Sequence, residues 1–172
     1  LPSVSNEASV VLDATAGSLF LECLQFDSSL FITSFANGYI RLQNISVAQS
    51  AQTITTEVRS NSTLRVFGSV QLDTVRARGN SQVFLHAQFT NSIGSLQLSS
   101  SSSLWCYVCG GSIDSLTMRD GSDASLAPRT SDFTITTLDA AQESRVFINT
   151  TFGKNVSIAN ENLIENSVVY RR

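Results

Sequence analysis

Hydrophobic residues in this chain come in short alternating runs. Leu64 with Val66, Val70 with Leu72, and Val83 with Leu85 stand two apart, as on one face of a strand. No stretch repeats at the i, i+3, i+4, i+7 spacing of an amphipathic helix. Val, Ile, Phe and Thr dominate the runs, which suits pleated strands. The runs are also too short and too numerous for βαβ units.

The runs recur. Ser95-Leu96-Gln97-Leu98 is answered by Ser115-Leu116-Thr117-Met118, and Val83-Phe84-Leu85 by Leu104-Trp105-Cys106. Two apolar triplets per roughly twenty residues, separated by Ser, Gly, Asn and Asp, mark the coil of a β-solenoid. Two columns can be followed down the chain. One holds Leu19, Ile40, Leu64, Val83, Leu104, Leu126, Val146 and Val168. The other holds Val10, Leu30, Ile54, Leu72, Leu96, Leu116, Ile135 and Val156. The pattern predicts an all-β, single-stranded parallel β-helix of about eight coils of about 20 residues, forming one domain over residues 1–172. The competing architecture is an antiparallel sandwich, which also has many short strands. The serine run Ser99 to Ser103 lies between in-phase triplets and reads as a turn between coils.

Composition narrows the function. Only 15% of residues are charged, the net charge is −3, and Lys154 is the single lysine. No basic patch for nucleic acid can form from lysines. No apolar stretch approaches the roughly 18 residues of a membrane helix, and Leu1-Pro2-Ser3 lacks the regions of a signal peptide. The ending Arg171-Arg172 resembles a dibasic processing site, and an arbitrary chain end is an equal reading.

Candidate chemistry is sparse. Cys106-Tyr107-Val108-Cys109 is a CxxC, but only His86 and Cys23 remain to complete a zinc site. In the strand register Leu104, Cys106 and Val108 point inward, turning Trp105, Tyr107 and Cys109 outward. That favours buried Cys106 and Cys23 with an odd Cys109, against a local Cys106–Cys109 bridge made by folding back at Gly110-Gly111. Asp73, Asp114 and Asp139 are scattered relative to the repeat, and no Ser-His-Asp or Cys-His set forms around His86, so a non-enzyme is expected. No cofactor is implied; the acidic turn Asp120-Gly121-Ser122-Asp123 is the one place left open for calcium. The threonine segments Gln52–Thr56 and Phe133–Thr137 stand four coils apart and make no flat ice-binding array. Sequons at Asn44, Asn61, Asn149 and Asn155 are candidate glycosylation sites, at a number chance alone would supply.

One side of the first column stands out. Arg65, Phe84, Trp105 and Phe147 fall in one outward row, and Phe67, His86 and Tyr107 in the next. Phe67, Phe84, His86, Trp105 and Tyr107 are therefore the candidate binding surface, since aromatic patches mark contacts and stack on sugars. The alternatives are a face covered by a loop, or a register slip that makes these rings core.

The two-triplet coils, from about Ser9 to Tyr170, resemble the parallel β-helices of secreted adhesins and surface glycoproteins, including the filamentous-haemagglutinin type and the proteoglycan-like aggregation factors of simple animals. The resemblance implies an extracellular or cell-surface scaffold for adhesion or assembly, with a carbohydrate-binding or polysaccharide-degrading β-helix as the alternative. The chain enters and leaves the repeat on strands, without an amphipathic capping helix. The expected partners are thus copies of itself, or the neighbouring part of a precursor, stacked end to end, and glycans.

Overall fold

The computed structural model describes residues 9–48, 53–86, 92–107 and 109–172. The strands within them follow the sequence pattern. The first rung holds β1 (Ser9–Asp13), β2 (Ser18–Glu22) and β3 (Gln25–Phe26), and the second holds β4 (Ser29–Ser34), β5 (Tyr39–Gln43) and β6 (Ser46–Val47). Six two-strand rungs follow: β7 (Ile54–Arg59) with β8 (Thr63–Phe67), β9 (Leu72–Arg78) with β10 (Gln82–Leu85), β11 (Ser92–Ser99) with β12 (Ser103–Tyr107), β13 (Gly111–Met118) with β14 (Asp123–Ala127), β15 (Phe133–Ala140) with β16 (Arg145–Ile148), and β17 (Val156–Leu163) with β18 (Val168–Arg171). The first strands of the rungs stack into one eight-stranded sheet, β1-β4-β7-β9-β11-β13-β15-β17. The second strands stack into another, from β2 to β18, and every pair is parallel. This is a β-solenoid of about seven turns of about 21 residues, not a sandwich. Each backbone pairs with the rungs above and below, which is how short strands satisfy their polar groups.

The interior is a set of apolar ladders. Ile40, Leu64, Val83, Leu104, Ala124 and Val146 stack in register and are fully buried. Burying each larger side chain contributes about 1.5–3 kcal/mol, mostly offset by ordering the chain. The first expected column needs two corrections. Leu126 belongs to the adjacent inward ladder with Leu85, Cys106 and Ile148, and Ala124 takes its place. Both positions face inward, so a match on hydrophobicity picked the larger residue. Val168 pairs with Arg145 and is 38% exposed, while Val169 continues the ladder; adjacent valines leave the parity ambiguous.

The second column breaks for a different reason. Leu72 continues through Ile93, Ile113, Ile135 and Ile158, whereas Leu96 and Leu116 continue Ile32, Thr56 and Val75 toward Leu138. Val156 pairs with Phe133. Between these inward ladders two successive residues face away from the core: Asp73-Thr74, Gly94-Ser95, Asp114-Ser115 and Thr136-Thr137. The strands bend there, and the bends are stacked. A Cβ on Gly94 would lie 2.8 Å from the Asp73 carbonyl oxygen, so this bend needs glycine at the tightest rung.

The two corners of the coil differ. Where the chain passes from the first sheet to the second, six residues separate the flanking inward positions in rung after rung: Ser34 to Ile40, Val58 to Leu64, Ala77 to Val83, Leu98 to Leu104, Met118 to Ala124 and Ala140 to Val146. Two consecutive left-handed residues make five of these turns: Ser60-Asn61, Gly79-Asn80, Ser100-Ser101, Asp120-Gly121 and Gln142-Glu143 all have φ between 54° and 66°. This is the twist of a type I′ turn. A buried serine follows each pair. The Oγ of Ser62, Ser81, Ser102, Ser122 and Ser144 donates to the carbonyl three residues back, at 2.6–2.8 Å. The serine run is thus a rigid corner, with Ser102 in the core. The return corner varies, with ten residues from Cys106 to Leu116 but fourteen from Leu42 to Thr56. Apart from a one-residue shortening in the first rung, the drift in coil length falls there.

The cysteines overturn the expected arrangement. Cys106 and Cys109 form a disulfide with Cα atoms 5.5 Å apart, both fully buried. The alternation that turned Cys109 outward stops after Tyr107, where β12 ends and the chain rounds the return corner. Val108 lies outside the described residues. Cys23, expected buried, is exposed in a left-handed turn (φ 54°) and accepts from Asn44 Nδ2 at 3.8 Å.

The last rung carries an unexpected device. Glu161 stands in register with the inward Leu138, and Arg171 with Ile148. The two form an ion pair, Arg171 to Glu161. An ion pair therefore stands in register with apolar ladders of the preceding rung, where further apolar residues would continue the pattern.

Candidate aromatic contact surface

The outward side of the second sheet is a ladder of rings. In-register parallel pairing places Phe20, Arg41, Arg65, Phe84, Trp105, Ser125, Phe147 and Tyr170 in one row, one residue per rung. Beside it run Gln43, Phe67, His86, Tyr107 and Ala127. All five residues of the expected surface therefore lie together on one outward face. Phe67 and His86 stack at 4.0 Å with planes 5° apart, Phe84 and Trp105 at 6.4 Å, Trp105 and Tyr107 at 5.6 Å, and Phe147 and Tyr170 at 5.0 Å. Arg41 lies over Phe67 at 4.6 Å, and Arg65 over Phe84 at 5.1 Å. Such pairs contribute about 0.5–1.5 kcal/mol each beyond area burial. Phe67, Phe84, His86 and Trp105 are half-buried by their neighbours, while Tyr107 and Tyr170 are each 49% exposed.

Phe20, Tyr39, Arg41 and Tyr170 extend this face beyond the residues that the sequence pattern picked out. The signal for two of them is present in the sequence, because Arg41 and Tyr170 are one coil step from Arg65 and Phe147 of the predicted rows; Phe20 lies one step beyond Arg41, and Tyr39 stands in the row of Thr63.

Four buried side-chain polar atoms among the described residues lack a hydrogen-bond partner, and three belong to this face: Arg65 Nε, His86 Nε2 and Trp105 Nε1. The His86 pKa is lowered, first by burial and then by the Arg65 and Arg41 charges. The folded protein thus holds His86 neutral below about pH 6.5, where the unfolded chain takes up the proton. The unfolded state then binds more protons, so stability falls as pH drops below about 6.5, until the lowered pKa is reached. His86→Gln is expected to flatten this part of the melting temperature–pH curve relative to the parent. Identical slopes between pH 7 and 5 would remove His86 as the cause.

The other candidates lie elsewhere. Asp73 accepts the Ile54 N–H at 2.7 Å, Asp139 pairs with Arg119 at 2.6 Å, and Asp114 is exposed on the first sheet. These carboxylates do not converge. In the acidic turn Asp120 occupies a left-handed corner position, whereas Asp123 binds Arg145 through both oxygens at 2.8 Å. Among the described residues no three His, Cys, Asp or Glu side chains gather as metal ligands. Of the sequon asparagines, Asn44, Asn61 and Asn155 are exposed, and Asn149 is half-buried. Asn44 Oδ1 accepts the Ser69 N–H and Asn149 Oδ1 the Thr151 N–H, each at 2.9 Å.

The outer face of the first sheet is different again. Thr55, Thr74, Ser95, Ser115, Thr137 and Asn160 form an unbroken polar row. A hydroxyl ladder exists that the mismatched columns had hidden, although the next row, Glu57, Arg76, Gln97, Thr117 and Asp139, is charged and irregular. Gln52 lies outside the described residues.

Compared with known proteins, the chain matches no protein-family profile, no curated protein and no solved structure.

Proposed function

We propose that this chain is a non-catalytic extracellular module, a rigid scaffold that adheres to its partners through the aromatic face of its second sheet. The observation that carries this reading is the ring ladder itself. A monomer that kept to itself gains little from placing Phe, Trp and Tyr outward on rung after rung, and apolar faces of this extent mark contacts. The unmet polar atoms of Arg65, His86 and Trp105 on the same face are a second support. The Cys106–Cys109 disulfide suits an oxidising compartment, and glycans on the exposed Asn61 and Asn155 would fit the same route.

The test is a double substitution, Trp105→Ser with Phe147→Ser. Both rings are at least partly exposed, so the cost is expected to stay within about 1–3 kcal/mol, leaving a folded protein by circular dichroism. Adhesion to surfaces coated with the same protein or with matrix polysaccharide is expected to drop at least tenfold. Full adhesion by a folded double variant would overturn the reading.

A further inference from the structure

The ring ladder has a gap. Phe84 and Trp105 precede it and Phe147 and Tyr170 follow, but the rung between Trp105 and Phe147 carries Ser125. In the adjacent row, Tyr107 is followed by the small Ala127. Rungs lie about 4.8 Å apart, so the walls of the gap stand about 9.6 Å from each other. One ring inserted midway would sit about 4.8 Å from each wall, within the range of stacked pairs. A cavity of about 570 Å³ opens here, and its lining includes Tyr107, Ser125, Phe147, Asn149, Tyr170 and the cationic Arg172. That is the size of a small-molecule site.

We infer that this gap is a carbohydrate subsite, in which a single pyranose ring stacks between Tyr107 on one side and Phe147 on the other. The inference rests on the reading of this face as a contact surface and names its ligand. The chemistry of the lining selects the occupant. The walls are aromatic and take the apolar C–H faces of a sugar. The floor and rim are polar, with the Ser125 hydroxyl, the Tyr107 phenol, the Asn149 amide and the Arg172 guanidinium, all of which match the hydroxyls at a sugar's edge. An aromatic side chain from another protein would fill the gap but leave Ser125 facing carbon. A nucleobase would bring phosphates to a chain whose net charge is −3. The gap is one rung wide, so it seats one sugar ring, and a longer glycan would lie along the neighbouring rings of the ladder.

Trp105 is the only tryptophan in the chain and lies against the lining residue Tyr107 at 5.6 Å, so its fluorescence reports occupancy through that contact. Titration of the whole protein with neutral oligosaccharides, namely cello-, xylo-, manno- and galacto-oligomers, is expected to give a saturable blue shift with at least one of them. Ser125→Phe fills the gap with the missing ring. It is expected to hold or raise the melting temperature while lowering that affinity at least tenfold, and Ser125→Ala to stay within threefold of the parent. Absence of a saturable shift across the panel, or a Ser125→Phe protein that binds as before, overturns the subsite. If adhesion nevertheless falls in the Trp105/Phe147 double variant, only the subsite is lost; if adhesion also persists there, the whole face is lost. Self-association that Ser125→Phe abolishes, with no sugar bound by the parent, would assign the gap to a second copy of the chain and equally overturn the inference.

Discussion

Gly38→Ala should cost about 3 kcal/mol, a large share of a domain's typical margin. In most rungs six residues span the turn between sheets, but in the first rung only five separate Ala14 from Leu19. The shortened turn draws the Ala14 backbone toward the second rung. A Cβ on Gly38 would overlap the Ala14 carbonyl oxygen and Ser34 Oγ. A serine side chain can rotate away, but a carbonyl fixed in a ladder cannot. The damage should concentrate in β1 and β2, so their amides should exchange with solvent faster than those of β11 to β14. Gly17→Ala is the control, because a Cβ there has only the Thr15 carbonyl oxygen near it, at 3.7 Å. Equal stability of the Gly38→Ala and Gly17→Ala proteins in urea would refute this account of the corner.

Leu104→Asp should be worse still. Leu104 is fully buried at mid-solenoid, with Val83 on one side and Ala124 on the other in its ladder. Leu104→Ala removes volume and should cost about 2–5 kcal/mol. The aspartate adds an unpaired charge in an apolar interior, at a further cost of several kcal/mol. Burial would raise the pKa of the new carboxyl, so the folded state would hold a proton that the unfolded chain has lost. The excess destabilisation should grow as pH rises above about 4 and nearly vanish below it. Urea titrations of the two variants at pH 7 and pH 4 would decide this. Matching losses at pH 7 would mean that water reaches the core.

The parallel stacking was legible because the coil step and the two-residue alternation agree over Val83-Phe84-Leu85 and Leu104-Trp105-Cys106. The same agreement placed Phe84, Trp105, Phe67, His86 and Tyr107 outward and together. Alternation fails where the backbone departs from a straight strand. The stacked bends at Asp114-Ser115 and Thr136-Thr137 shift parity by one, so Leu116 was assigned to the ladder of Leu72. The turn after Tyr107 likewise brought Cys109 inward to Cys106. The placement of the Glu161–Arg171 pair was not legible, because both look like surface residues until register puts them beside Leu138 and Ile148. The gap at Ser125 is harder to read in principle. A serine between apolar residues carries no signal by itself, and becomes a feature only when rings flank it in space.

The unequal corners have a consequence for how such a chain can change. The serine corner is a fixed gauge: its paired left-handed residues and buried hydroxyl tolerate neither insertion nor deletion without breaking every ladder they join. The return corner has no such gauge and already accommodates differences of several residues between neighbouring rungs. Duplication of one whole coil, as by unequal recombination, would then lengthen the rod without altering its cross-section. A foreign peptide spliced between Pro128 and Asp132 would be displayed from a rigid frame, on the same rung as Ser125.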